Sequence, residues 1–190
     1  MLEALIPSKT RVELLTLFLL NPGREFYIRE IVRTTGRNIN AVRRELENLE
    51  SFGLIAGRKS GNQLYYTVRT DHFLYADLQK IVIRTEGIGS VIKDALADQD
   101  IACLFVYGSF AKGTAREKSD IDLFITGAVD EDRLIRVIHA CERSLGREIN
   151  YTLMTPRELG ERKEKGDPFI TNIMREEKII LMGTCDDWGS

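Results

Sequence analysis

The stretch GSFAKGTAREKSDIDLFI at residues 108–125 constrains the fold of this 190-residue chain more than any other. It is preceded by IACLFVY at 101–107, an apolar, β-branched and aromatic run of strand length. It ends in a second run, where Ile121, Leu123 and Ile125 alternate with Asp120, Asp122 and Phe124. Period-two spacing puts Asp120 and Asp122 on one face of a strand, with their carboxylates close together. Two like charges at that separation are unfavourable without a cation or hydrogen-bond donors between them. Gly108, set directly after the first strand, lets the backbone turn sharply and approach a ligand closely. Ser109 then opens a short helical turn whose N–H groups and hydroxyl can hold a phosphate, with Lys112 one turn further on and Ser119 before the acidic pair. Asp120 and Asp122 are hard oxygen donors suited to Mg²⁺ or Mn²⁺ shared with substrate phosphates.

The order Gly-Ser, ten residues, then D-x-D between apolar residues resembles the signature of the DNA polymerase beta superfamily of nucleotidyltransferases. More narrowly, GSFAKGTAREKSDIDL is similar to the minimal nucleotidyltransferase domains related to kanamycin nucleotidyltransferase, over residues 90–183. The resemblance implies a small mixed β-sheet flanked by helices. It also implies nucleotide binding at Gly108, Ser109, Lys112 and Ser119, and metal binding at Asp120 and Asp122. The expected reaction is attack of an acceptor hydroxyl on the α-phosphate of a nucleoside triphosphate, ATP first among the candidates, with loss of pyrophosphate. Similar minimal domains act as antitoxins that transfer AMP onto a toxin, which makes a protein an expected acceptor. The family carries a third acid on a further strand, where this chain reads Ile149-Asn150-Tyr151. A neutral amide brings neither charge nor a base. Glu148, on the same strand face, is the residue that can substitute, so Asp120, Asp122, Glu148 and Asn150 form the expected catalytic set.

Residues 1–70 read differently. They hold 11 Lys/Arg against 7 Asp/Glu, a balance of +4, whereas residues 71–190 hold 16 against 22, a balance of −6. Such asymmetry points to two jobs. Ser8 is an N-cap candidate before a first amphipathic helix that stops at Asn21-Pro22-Gly23; a second, 27–35, stops at Gly36. Asn38 caps a third, carrying Val42, Leu46, Leu49 and Phe52 at helical spacing. Two apolar stretches about Ser60-Gly61-Asn62 then read as a hairpin. Three helices and a hairpin resemble the winged-helix regulators that include the MarR and ArsR families. That resemblance implies duplex DNA as a partner, read by Asn38, Asn40, Arg43 and Arg44 on the third helix, with Lys59 and Asn62 meeting phosphates from the hairpin. It also implies a homodimer reading two half-sites.

The whole is expected to be an α+β protein: a winged helix at 1–70, a connecting helix at 71–98 bent at Gly87 and Gly89, the nucleotidyltransferase-like domain at 99–183 and a tail at 184–190. No apolar run is long enough to span a bilayer, and the N-terminus lacks a signal-peptide layout, so a cytoplasmic protein is expected. Cys103, Cys141 and Cys185 are odd in number and widely spaced, which suits reduced thiols. Two functions remain open. One is a DNA-binding protein with a Mg²⁺-dependent transferase domain. The other is a non-enzymatic transcriptional regulator whose degenerate domain senses nucleotide or mediates assembly, a reading that Asn150 favours.

Overall fold

The computed structural model describes residues 1–185; the last five residues of the expected tail lie outside the described residues. The chain forms two compact units, one of residues 1–87 with 116–118, the other of residues 88–115 and 119 onward.

After a short 3₁₀ turn at Leu2–Ala4, the first unit forms α1 (Lys9–Leu19), whose N-cap Ser8 accepts a hydrogen bond from the Arg11 amide. A two-residue strand β1 (Phe26–Tyr27) leads into α2 (Ile28–Thr35), which closes at Gly36 in the left-handed conformation. Helix α3 (Ile39–Ser51) is capped by the Asn38 side chain, which accepts from the Asn40 amide at 2.8 Å. The hairpin β2 (Ile55–Ser60) and β3 (Gln63–Val68) follows, and β1 adds to β3 to give a three-stranded antiparallel sheet. β1 is missing from the sequence-based reading because two residues carry no periodicity; pairing with Tyr65 and Tyr66 makes it a strand. Leu14, Phe18, Leu19, Ile31, Val42 and Leu46 are buried at the expected helical spacing. Within this core sits one carboxylate. Glu45 is 3% exposed and accepts hydrogen bonds from Ser8 Oγ (2.8 Å), Arg11 Nε (2.8 Å) and Asn48 Nδ2 (3.2 Å), tying α1 to α3. Where a bent connecting helix is expected, the chain has two separate helices, α4 (Tyr75–Thr85) and α5 (Ile88–Ala95).

The second unit is built on a four-stranded mixed sheet of order β6-β5-β4-β7. Its strands are β4 (Asp100–Tyr107), β5 (Ile121–Ala128), β6 (Ile149–Met154) and β7 (Ile179–Gly183). β4 runs antiparallel to β5 and β7, while β5 and β6 are parallel. The parallel step needs a crossover, supplied by α7 (Glu131–Leu145), which Asp130 caps and Gly146 ends. A short turn of helix, α6 (Gly108–Ala111), follows β4; α8 (Pro156–Glu164) and α9 (Pro168–Arg175) lie between β6 and β7.

Both sheet faces are covered. Cys103, Phe105, Phe124 and Met154 pack with Leu159 of α8 and with Ile170 and Ile173 of α9. The Phe105 and Phe124 rings stack at 5.2 Å. On the other face Leu104, Val106, Leu123 and Ile125 are buried, and α5 and α7, packed on each other, turn Ile88, Ile92, Leu134 and Ile138 inward. One expectation is corrected. Antiparallel pairing of β7 with β4 brings Cys185 to Cys103 across a separation of 82 residues, and the two are joined as a disulfide with Cα atoms 5.7 Å apart. Cys141 remains a free, buried thiol, pushed up to about 11 by burial and then by the Glu142 charge. Among the described residues no helix is long and apolar enough to cross a membrane.

Candidate functional site

The apolar cover of the α8/α9 face stops at one end of the sheet, and there the residues turn polar. Register places Asp122 opposite Tyr107 of β4 on one side and Asn150 of β6 on the other. Cross-strand partners share a face, so Tyr107, Asp122 and Asn150 form one row. Asp120 lies two residues before Asp122, on the same face. Asn150 Nδ2 donates to Asp120 Oδ2 at 3.3 Å. Burial pushes the Asp122 carboxyl above its ordinary range, the Asp120 charge pushes it further, and a hydrogen bond from Asn150 works against both. The pair is held together with one amide as donor, and the unfavourable charge is only partly relieved.

The turn after β4 explains how the pair is held. Gly108 adopts φ +69°, and a Cβ added there would run into the Asp122 carboxylate. The glycine therefore meets two demands together: left-handed backbone, and room for the carboxylate against the turn. The loop then folds back on α6, with Lys112 N donating to Gly108 O (3.1 Å) and Thr114 N to Ser109 O (2.9 Å). Ser109 is half-buried at this turn. Gly108, Asp120, Asp122 and Asn150 are thus brought together. Lys112 is exposed and paired with Glu176 at 2.8 Å, in the segment between α9 and β7. The carboxylate of Glu148 is exposed, and among the described residues it makes no hydrogen bond or ion pair. Its backbone carbonyl accepts from Ile121 N at 3.0 Å, locking the start of β6 to the start of β5.

Three side chains at the site carried no sequence signal. Arg147, buried just beyond the cap of α7, donates through Nη1 to the Ser119 carbonyl and lies 5.2 Å from the Phe110 ring centroid. It fastens the approach to Asp120 against α6. Tyr107 ends an apolar run and reads there as core. Burial pushes its phenol up against the effect of a hydrogen bond with Thr152, and the Asp122 and Glu176 charges add to the rise. Lys178 directly precedes β7, whose Ile179 pairs with Val106 of β4. Its Nζ donates to the carbonyls of Met174 (2.8 Å) and Glu176 (3.1 Å) and stands 5.9 Å from the Phe105 centroid. Burial lowers its pKa.

A divalent ion fits the donor set on chemical grounds. Asp120 and Asp122 offer hard oxygens whose repulsion a cation would relieve, and Asn150 offers a carbonyl oxygen in the same row. Among the described residues no cluster of three or more His, Cys, Asp or Glu forms a metal site.

In the first unit, Asn40, Arg43 and Arg44 are exposed on α3, and Lys59 and Asn62 are exposed at the hairpin tip. The hairpin is tied to α3 by Gly57 N, which donates to Glu50 Oε1 at 2.9 Å. Asn38 spends its side-chain oxygen on the helix cap. Arg58 is held by both Glu25 oxygens, at 2.8 and 2.6 Å.

Residues 90–183 match the family model described as polymerase beta, nucleotidyltransferase, and form a nucleotidyltransferase domain. Three solved structures are similar to this chain. One is a toxin–antitoxin structure with AMP-PNP, 18% identical over 53% of this chain and 77% of that one, with a TM-score of 0.38. Another is a mutant of the toxin–antitoxin pair MntA-HpeT, 17% identical over 52% and 76%, with a TM-score of 0.37. The third is a candidate nucleotidyltransferase from Sulfolobus solfataricus, 11% identical over 57% and 87%, with a TM-score of 0.33. No curated protein matches the chain.

Proposed function

We propose that the second unit transfers a nucleoside monophosphate from a nucleoside triphosphate to a hydroxyl acceptor. The observation that carries this is the close approach of the Asp122 carboxylate to the Gly108 turn, beside Asp120 and Asn150. A phosphate chain seated on that turn lies against a pair of carboxylates, an arrangement that is repulsive until a divalent cation is shared between them. Asp120 and Asp122 would hold Mg²⁺ or Mn²⁺, and the ion, when bound, neutralises phosphate charge and polarises the α-phosphate. Gly108 and Ser109 present backbone N–H groups and a hydroxyl to the phosphates. Lys112 reaches them by exchanging its Glu176 partner for phosphate oxygens. Arg147 keeps Ser119 and α6 in fixed relation, so the carboxylates do not drift from the turn. The acceptor oxygen bonds to the α-phosphorus, the bond to the bridging oxygen breaks, and pyrophosphate leaves. Asn150 cannot take the hydroxyl proton, which passes to Glu148 or to water. Incubation with each α-labelled triphosphate, Mg²⁺ or Mn²⁺ and cell extract should label an acceptor. No labelling under any combination overturns the transferase reading. It then favours the second reading, a non-enzymatic regulator, for which the amide at position 150 already speaks.

The first unit we read as a winged helix that binds duplex DNA as a homodimer. Its +4 balance, the exposed Asn40, Arg43 and Arg44 and the exposed hairpin tip support this. Binding should weaken steeply with salt, and Arg43→Ala should cost about 1–3 kcal/mol on the cognate site. Lys59→Ala should weaken all sequences alike and reduce the salt slope by about 1. Gel shifts without duplex binding at low salt remove this half of the reading.

A further inference from the structure

β6 is the edge of its sheet, and its free side is unusually well prepared for another strand. In a parallel ladder a residue bonds through the neighbours of its partner, and Ile121 N donating to Glu148 O sets that phase. Asn150, Thr152 and Met154 therefore spend their N–H and C=O groups on β5, while those of Tyr151 and Leu153 point outward. The Ile149 amide, also outward, is taken by Glu142 Oε1 at 3.0 Å. Beyond it the edge carries none of the usual protections, lysine, proline or a bulge, until Pro156.

The same edge lines a groove of about 510 Å³, bordered by residues 151–154 together with Glu131, Glu158, Arg162 and Phe169. Four consecutive strand residues alternate between the two sheet faces, so a groove that touches all of them runs along the strand's edge rather than over one face. Glu131 enters from α7 on one side, and α8 and α9 form the other wall. The charges favour a basic occupant. Arg162 is 3.6 Å from Asp167, while Glu131 approaches the Tyr151 hydroxyl at 3.5 Å. Burial, and then Glu131, holds the Tyr151 phenol above its ordinary value.

We propose that this edge takes an extended, basic polypeptide segment as an added strand, and that it is the acceptor side of the transferase site. The second clause rests on the transferase reading. A strand paired with Tyr151 and Leu153 lies about 5 Å beyond β6 and carries every second side chain on the face of Asn150 and Asp122. A hydroxyl on such a side chain is delivered across Asn150 toward the carboxylate pair, in a groove that begins one residue past Asn150. Backbone hydrogen bonds supply affinity without regard to sequence, and the groove selects charge.

The test uses two soluble random copolymers, lysine–tyrosine and glutamate–tyrosine, with binding followed by fluorescence anisotropy at physiological salt. The full chain should bind the lysine copolymer and not the glutamate one. Leu153→Pro removes an outward N–H and spares the bonds to β5, so binding should fall at least tenfold with little change in melting temperature. Glu131→Gln, which leaves the strand's backbone untouched, should also weaken binding severalfold, so the result stands even if Leu153→Pro misfolds. Equal binding by wild type and both variants, equal binding of the two copolymers, or no binding at all overturns the docking edge. Calorimetry with a magnesium triphosphate on the same wild-type sample separates the two claims. If nucleotide is not bound but the copolymer results hold, the transferase reading fails and the docking edge stands.

Discussion

Glu45 in the first unit and Asp122 in the second are treated in opposite ways. Glu45 is buried, and burial alone would raise its pKa. Hydrogen bonds from Ser8, Asn48 and Arg11, with the Arg11 charge, more than offset that and hold it below the usual range. Asp122 is half-buried beside a second carboxylate, with Asn150 opposing the rise, and it is held above the usual range. A carboxylate that has its full set of partners stabilises a fold. One left short of partners, in a row with another acid and beside a glycine that makes room for it, is a candidate binding position. The contrast separates an acid satisfied by its own fold from one that is not, without reference to any relative.

The largest effect should come from the amide between the two acids. Asn150→Asp supplies the missing charge and proton acceptor, and transfer should rise by about 10²–10⁴-fold. The same change adds a third negative charge to the row, so the melting temperature should fall. If Glu148 already serves as the base, Glu148→Gln abolishes wild-type transfer and Asn150→Asp adds little.

Next in size, Asp122→Asn should lower transfer by about 10²–10³-fold or more while leaving the melting temperature unchanged or higher. That combination is expected only if the acid is destabilising where it stands. A clear fall in melting temperature would break the contrast with Glu45.

Much of this was legible in the sequence, and the reasons differ from element to element. The alternation about Asp120 and Asp122 shows in β5, and Ser8, Asn38 and Gly36 act as the helix signals that their chemistry suggests. Asn150 is marked by the family resemblance, which implies a third acid in that strand, but the strand's parallel register against Asp122 is a tertiary fact. Arg147, Tyr107 and Lys178 reach the site by long side chains or by register, and no periodicity marks them. The disulfide was read wrongly because spacing along the chain says nothing about which strands become neighbours. Nothing in the sequence singles out Glu45, since the three donors that satisfy it come from positions 8, 11 and 48.

A smaller effect belongs to Glu45. Glu45→Ala should cost about 1–3 kcal/mol of stability, read by denaturant unfolding, because Ser8 and Asn48 lose their acceptor. The pH dependence has opposite signs at the two acids. The depressed Glu45 contributes stability that is fully present above its unfolded value near 4.5 and is lost as pH falls through the lower folded value. The raised Asp122 is unfavourable above its folded value, and that penalty is relieved as pH falls through it toward the unfolded value near 3.8. Comparing acid titrations of wild type, Glu45→Ala and Asp122→Asn should show these two trends removed separately.

The central claim is that the Gly108 turn and the Asp120–Asp122 pair form a site for a triphosphate with a divalent cation. Isothermal titration of the full chain with a non-hydrolysable nucleoside triphosphate, with and without Mg²⁺, tests it most directly. Binding should appear only with Mg²⁺ and disappear when Asp120→Asn and Asp122→Asn are combined. Binding of equal strength without Mg²⁺, or undiminished in the double variant, would contradict it.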